Sequence, residues 1–171
     1  LIIGSLTSGI IEINNLLESE DVMATAEALK ILGVKINKLN DKWEVFGSGI
    51  GNFYGNNYTL NMNNSGTGAR LLMGLVAGCD VEATFGGDES LSKRPMKRVT
   101  APLQKTGAII KAKTYNLPIK IKGSKIPFPI EYKSPISSAQ VKSSILLAGL
   151  SSLGTTSVIA VSYTHLTLPT I

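Results

Sequence analysis

Three short stretches carry the residue types that grip anions. The first is NMNNSGTGAR, residues 61–70, where Asn, Ser, Thr and two glycines lead into an apolar run and Arg70 sits in its first turns. An α-helix begins with about four unpaired N–H groups and a partial positive end. Gly66 and Gly68 let a ligand approach that backbone with no Cβ in the way. The second stretch, GGDESLSKRPM at 86–96, holds Arg94 against Pro95. Proline has no N–H to give and marks a helix start, so the guanidinium fork is set beside a helix end of the same sign. The third, SPISSAQVKSSILLAGL at 134–150, gathers Ser137, Ser138 and Gln140 where a helix begins. The chemistry on offer is the capture of phosphate or carboxylate groups. Each stretch also has a plain structural reading: Ser65 or Thr67 as one N-cap, Ser138 as another, and Lys93, Arg94, Lys97 and Arg98 as a solvated basic patch.

Positioning these groups requires regular elements. Ser19, followed by acidic Glu20 and Asp21, predicts the start of a helix whose apolar residues Val22, Ala26, Leu29 and Leu32 recur at three- and four-residue spacing, with Gly33 as its stop. VKINKL at 34–39 and WEVFG at 43–47, joined by NDK, predict a hairpin, and SGIGNFYGNN at 48–57 reads as loop. A helix from Gly66 stops at Gly78 before the strand CDVEATF; one from Lys97 to Thr106 stops at Gly107 before AIIKA. A last helix, Ser138 to Leu150, passes through SSLG into the strand TTSVIAV. Residues 115–135, rich in Pro and β-formers, predict short strands and turns. Helix–glycine–strand junctions at Gly33, Gly78, Gly107 and Gly154 imply an α/β chain of related units. If those units surround a pseudo-symmetric axis, the three polar helix starts converge on one cleft.

Composition bounds the remaining choices. With 171 residues and 43% hydrophobic content, the chain is one soluble domain or part of a larger one. Its longest apolar run, SSILLAGLSS, is far short of the ~20 residues a membrane span needs. Cys79 is the single cysteine and cannot form an internal disulfide, and no basic stretch precedes LIIGSLTSGI, so a reducing, cytoplasmic setting is expected. The formal charge of +5 favours anionic partners, but the lysines are scattered and aromatics are only 6% of residues, which argues against nucleic acid.

NNSGTGARLLMGLVAG, GDESLSKRPMKRV and SAQVKSSILLAGL, together with SGIIEINNLLESEDVMATAEALKILGV, resemble the enolpyruvyl transferases that make 5-enolpyruvylshikimate 3-phosphate, particularly the bacterial glyphosate-tolerant type. The similarity runs from about Gly4 to Ile159. It implies transfer of the enolpyruvyl group of phosphoenolpyruvate to shikimate 3-phosphate with release of phosphate, in the pathway to aromatic amino acids, with no cofactor and no metal. It implies a two-domain, inside-out α/β barrel fold, each domain built from βαβαββ units with helices inside and sheets outside. Residues 1–160 then form most of one domain of a protein that is a monomer when complete. Gly66 is implied to present its N–H to phosphoenolpyruvate and Arg94 to pair with that anion. Ser138, Ala139 and Gln140 are implied to hold shikimate 3-phosphate, Gln140 touching both substrates. Thr67 and Arg70 lie near the same helix start, with capping and surface support as equal alternatives.

The family's lysine-serine and arginine segment is expected before Leu1, and its catalytic carboxylates after residue 160. No catalytic acid or base is therefore assigned within this chain, which is expected to be inactive alone. After GTTSVI the sequence leaves the family pattern with AVSYTHLTLPTI, so residues 161–171 read as a divergent or non-native tail and His165 receives no role. Lys97 stands where the family commonly has a small residue. Two other readings stay open: the related transferase that acts on a UDP-sugar, and a non-catalytic anion- or RNA-binding module. The UDP-sugar enzyme employs a loop cysteine, whereas Cys79 follows a helix stop and begins an alternating strand, where burial is expected.

Overall fold

The computed structural model describes residues 1–135 and 137–160. Its elements run α1 (Ile2–Ser5), β1 (Ile10–Asn14), α2 (Glu20–Ile31), β2 (Lys35–Leu39), β3 (Lys42–Phe46) and β4 (Tyr54–Asn61), then α3 (Gly66–Ala77), β5 (Asp80–Gly86), α4 (Glu89–Ser92) and α5 (Lys97–Lys105). They finish with β6 (Ile109–Lys111), β7 (Ile119–Lys122), β8 (Glu131–Ser134), α6 (Ala139–Gly149) and β9 (Ser157–Ala160).

The strands form three sheets, ordered β1-β3-β2, β4-β5-β7-β6 and β8-β9. Only β4 with β5 and β8 with β9 pair in parallel; the other pairs are antiparallel. One complete βαβαββ unit is visible as β4, α3, β5, α5, β6 and β7, with the short α4 inserted. The set β1-β3-β2 repeats the pattern of β5-β7-β6, and β8-α6-β9 repeats that of β4-α3-β5. The expected repeat is thus present in the pairing itself, with α2 equivalent to α5 and α3 to α6.

The junction glycines sort by the same equivalence. Gly33 after α2 and Gly107 after α5 have φ of +96° and +95°, the left-handed conformation that ends a helix most easily without a Cβ. Gly78 after α3 has φ −88° and needs no such freedom; a Cβ there would lie 2.6 Å from the Ala148 carbonyl oxygen on α6. One turn earlier, a Cβ on Gly74 would collide with the Ser144 backbone. The α3–α6 interface is therefore built on backbone contact, as the small residues of LLMGLVAG and SSILLAGL imply. Among α3's own side chains, Leu72 and Met73 are fully buried, each stabilising the fold by ~1.5–3 kcal/mol.

Several boundaries differ from the sequence reading. The last four residues of the expected loop 48–57 belong to β4, because Gly55 (φ +129°) and Asn57 (φ +62°) are absorbed in a register shift between Gly55 and Tyr58. Ser19 stands at the N-cap of α2 without a side-chain capping bond, leaving Glu20 and Asp21 to complement the helix end. Helix α4 lies inside a stretch read as loop, and α1 and β1 carry no pattern that marked them. Among the described residues, no helix is long and apolar enough to cross a membrane. His165 and the tail 161–171 lie outside the described residues.

Candidate functional site

Parallel strands β4 and β5 end side by side, with Asn61 opposite Gly86. Backbone bonds carry the pairing past the strands, from Met62 N–H to Gly86 O at 2.9 Å and from Asp88 N–H to Asn63 O at 2.9 Å. The loop into α3 and the loop into α4 are thereby held against each other. The carboxyl ends of parallel strands are where α/β folds usually bind ligands.

Ser65 caps α3, its Oγ accepting from Gly68 N–H at 3.2 Å. Ser65 has φ −73° and ψ 84°, and Gly66 N–H donates to Asn64 O at 2.9 Å across it, an inverse γ-turn. The Gly66 amide expected to face a substrate is therefore engaged with Asn64, through the bent bond of a three-residue turn. The two glycines of this turn also divide their roles. A Cβ on Gly68 would lie 2.6 Å from both Ser65 Oγ and Thr25 Oγ1, so this glycine serves the packing of α2 on α3, not ligand approach. A Cβ on Gly66 would instead lie 3.0 Å from Arg94 Nη1 and 3.2 Å from Arg70 Nη1. Gly66 is thus buried against two guanidinium groups.

Those two arginines are tethered differently. Arg70 Nη1 donates to Gln140 Oε1 at 2.7 Å, and Gln140 Nε2 donates to Thr67 Oγ1 at 2.8 Å, so the start of α6 is bonded to the first turns of α3. Arg94 lies between α4 and α5, its Nη2 donating to Asn64 Oδ1 at 2.9 Å. Asn64 Nδ2 donates in turn to Asp88 Oδ2 at 2.7 Å, while Asp88 Oδ1 accepts from Leu91 N–H at 2.7 Å and caps α4. Burial first, then the nearby charges of Arg94 and Arg98, press the Arg70 pKa below its ordinary value. An arginine stays protonated regardless. The result is a concentration of positive charge at one end of α3, which favours a bound anion.

Gly66, Arg94 and Gln140, separated by up to 74 positions, are therefore brought together around Arg70 at the start of α3. Ser138 occupies the N-cap of α6, its Oγ accepting from Val141 N–H at 3.4 Å, and Ala139 opens the helix beside Gln140. Thr67 and Arg70 are direct partners of Gln140, a contact that also ties α3 to α6. Asn64 and Asp88 were not singled out by sequence. Arg70's place was legible, because residues at i and i+4 share a helix face with Gly66; the Asn64–Asp88 pairing depends on strand register and left no local signal.

A hollow of about 510 Å³ adjoins this turn, lined by Thr25, Ser65, Thr67, Gly68 and Leu71 with Leu1 and Ile2. Another, of about 720 Å³ and lined by Lys111, Lys113 and Lys120, shares no residue with this cluster. Among the described residues, no group of three His, Cys, Asp or Glu side chains is placed to hold a metal. Cys79 is buried, and burial pushes its thiol up from the ordinary value, opposite to what a nucleophilic cysteine needs.

The family described as EPSP synthase (3-phosphoshikimate 1-carboxyvinyltransferase) matches residues 1–167. Proteins named 3-phosphoshikimate 1-carboxyvinyltransferase from Rhodopseudomonas palustris BisA53 and Parvibaculum lavamentivorans are 51% identical over 162 residues and 50% identical over 161. In each case 93% of this chain and 36% of the relative is covered, so the chain spans about a third of their length. The solved EPSP synthase of Acinetobacter baumannii superposes with a TM-score of 0.88 at 38% identity, covering 96% of this chain and 38% of that one.

Proposed function

Because the chain belongs to the EPSP synthase family, we propose that it supplies, within the full-length enzyme, the substrate-anion crevice for enolpyruvyl transfer from phosphoenolpyruvate to shikimate 3-phosphate. Phosphoenolpyruvate lies against the start of α3, its charge opposed by Arg94, with the Gly66 N–H exchanging its bent internal bond for a phosphate oxygen. Shikimate 3-phosphate is held by Ser138, Ala139 and Gln140 at the start of α6, and Gln140 lies between the two substrates. In the reaction, the substrate hydroxyl gives up its proton and adds to the enolpyruvyl carbon while the methylene gains a proton, and phosphate then leaves as the resulting methyl group loses a proton to restore the double bond. Both substrates carry more than one negative charge, so bringing them together requires dense positive potential held in place beforehand. The residues of this chain do that work; the acid and base groups are expected from other parts of the full-length enzyme, which functions as a cytoplasmic monomer.

The observation that supports this reading is the gathering of Gly66, Arg94 and Gln140 around Arg70 at the start of α3. It is tested by measuring phosphate release from the two substrates in the full-length enzyme and its Arg94→Ala and Gln140→Ala variants. Unchanged steady-state constants in both variants would refute the assignment. The UDP-sugar alternative is not favoured, since the matching relatives carry the shikimate enzyme's name and Cys79 is buried.

A further inference from the structure

Arg94 faces an unusual neighbour for a surface arginine. Its Nη2 is held by a neutral amide, Asn64 Oδ1 at 2.9 Å, and the carboxylate of Asp88 bonds the other end of that amide at 2.7 Å. The order matters chemically. An amide has one accepting end and one donating end. With a carboxylate occupying the donating end, the accepting oxygen must point at Arg94. The guanidinium is thus oriented by a hydrogen bond, and among the described residues no carboxylate pairs with it directly, although its charge acts on Asp88 across the amide. Asp88 is itself fixed, since its other oxygen accepts from Leu91 N–H and its own N–H bonds Asn63 O. Those bonds favour the ionised form, and hold the carboxyl below its ordinary range. The same Asn64 accepts the Gly66 N–H through its backbone oxygen.

Resting on the reading of Arg94 as the phosphoenolpyruvate partner, we infer that Asn64 and Asp88 are positioning residues, a relay that aims Arg94 at Gly66 while keeping the Asp88 carboxylate one side chain away, so that no direct ion pair competes with the substrate. Asn64 orients the guanidinium, and Asp88 orients Asn64. Neither touches a reacting atom.

The inference separates from a merely structural role by moving the negative charge without removing the hydrogen bonds. In the exchange variant Asn64→Asp with Asp88→Asn, the side chain at 64 still accepts from Arg94 and the one at 88 still donates across to it and caps α4. The total charge is unchanged, but the carboxylate now lies directly on the guanidinium. In the full-length enzyme carrying this segment, the exchange is expected to raise the KM for phosphoenolpyruvate about tenfold, with the KM for shikimate 3-phosphate within about twofold and the thermal midpoint preserved. Asn64→Ala, which removes one exposed side chain, is expected to raise the same KM by a similar factor, and to add nothing further in an Arg94→Ala background. That variant decides the matter if the exchange variant does not fold. Wild-type KM for phosphoenolpyruvate in the exchange variant, or additive effects of Asn64→Ala and Arg94→Ala, would overturn the relay. If Arg94→Ala itself leaves that KM unchanged, the reading of the site fails, and the relay with it.

Discussion

Arg70 and Gln140, 70 positions apart, meet at 2.7 Å and join the starts of α3 and α6. The bond spans two equivalent helices of the repeat, so one side-chain contact ties together two units of the fold. Gln140 spends both ends of its amide on α3, accepting from Arg70 and donating to Thr67. Its orientation is therefore set before any substrate arrives.

The two substrates should respond differently to loss of the two partners. In the full-length enzyme, Arg94→Ala is expected to weaken phosphoenolpyruvate by about ten- to a hundredfold, the scale of a lost charged hydrogen bond, with a smaller effect on shikimate 3-phosphate. Gln140→Ala is expected to weaken both. Equilibrium binding of each substrate separately provides the measurement.

Two alanine substitutions in α3 should part company. Gly66→Ala places a methyl between the flexible ends of Arg94 and Arg70, so the fold survives while phosphoenolpyruvate affinity falls. Gly74→Ala drives a methyl into the Ser144 backbone, which cannot swing aside, and is expected to destabilise the protein by ~2 kcal/mol or more. Thermal unfolding combined with substrate titration tells them apart; equal thermal midpoints for the two variants would contradict the close helix contact.

Cys79 should resist thiol reagents in the native protein. It is buried, and burial raises its pKa, so little reactive thiolate is present near neutrality. Labelling by a chromogenic disulfide is expected to become fast only on addition of denaturant. Rapid labelling of the native chain would show the strand start to be open.

Glu18 should contribute to acid sensitivity. Hydrogen bonds from Lys38 and then Trp43 pull its carboxyl below the ordinary value of 4.5. A depressed folded pKa gives stability that is present above 4.5 and lost as the pH falls through the lower folded value. Glu18→Gln is therefore expected to unfold at lower temperature than the native chain at pH ~7, with the gap closing toward pH ~3. A gap independent of pH would assign the difference to something other than this carboxylate.

Much of this organisation was legible in the sequence, for identifiable reasons. Helix α2 and the β2–β3 hairpin follow from periodicity, because each buries one continuous face. The starts of α3 and α6 follow from capping residues ahead of apolar runs. What escaped depended on contacts distant in sequence. Strand β1 exposes Ile10 and Ile11 and is defined by its pairing with β3. The first half of β4 hides behind residues that usually mark loops. Gly68 resembled Gly66 in sequence but packs against Thr25, and only the approach of α2 distinguishes them. Asn64 and Asp88 become neighbours through the Asn61–Gly86 register of two parallel strands, a relation no local pattern records.

The flush contact between Gly74 and Ser144 fixes a dimension as well as a packing arrangement. Backbone lies against backbone, so the spacing of α3 and α6 is set by direct van der Waals contact of main chains and does not stretch with a change of rotamer. On the proposed reading of the site, the pair of helix ends then works as a caliper, selecting ligands by how far apart they carry their charges.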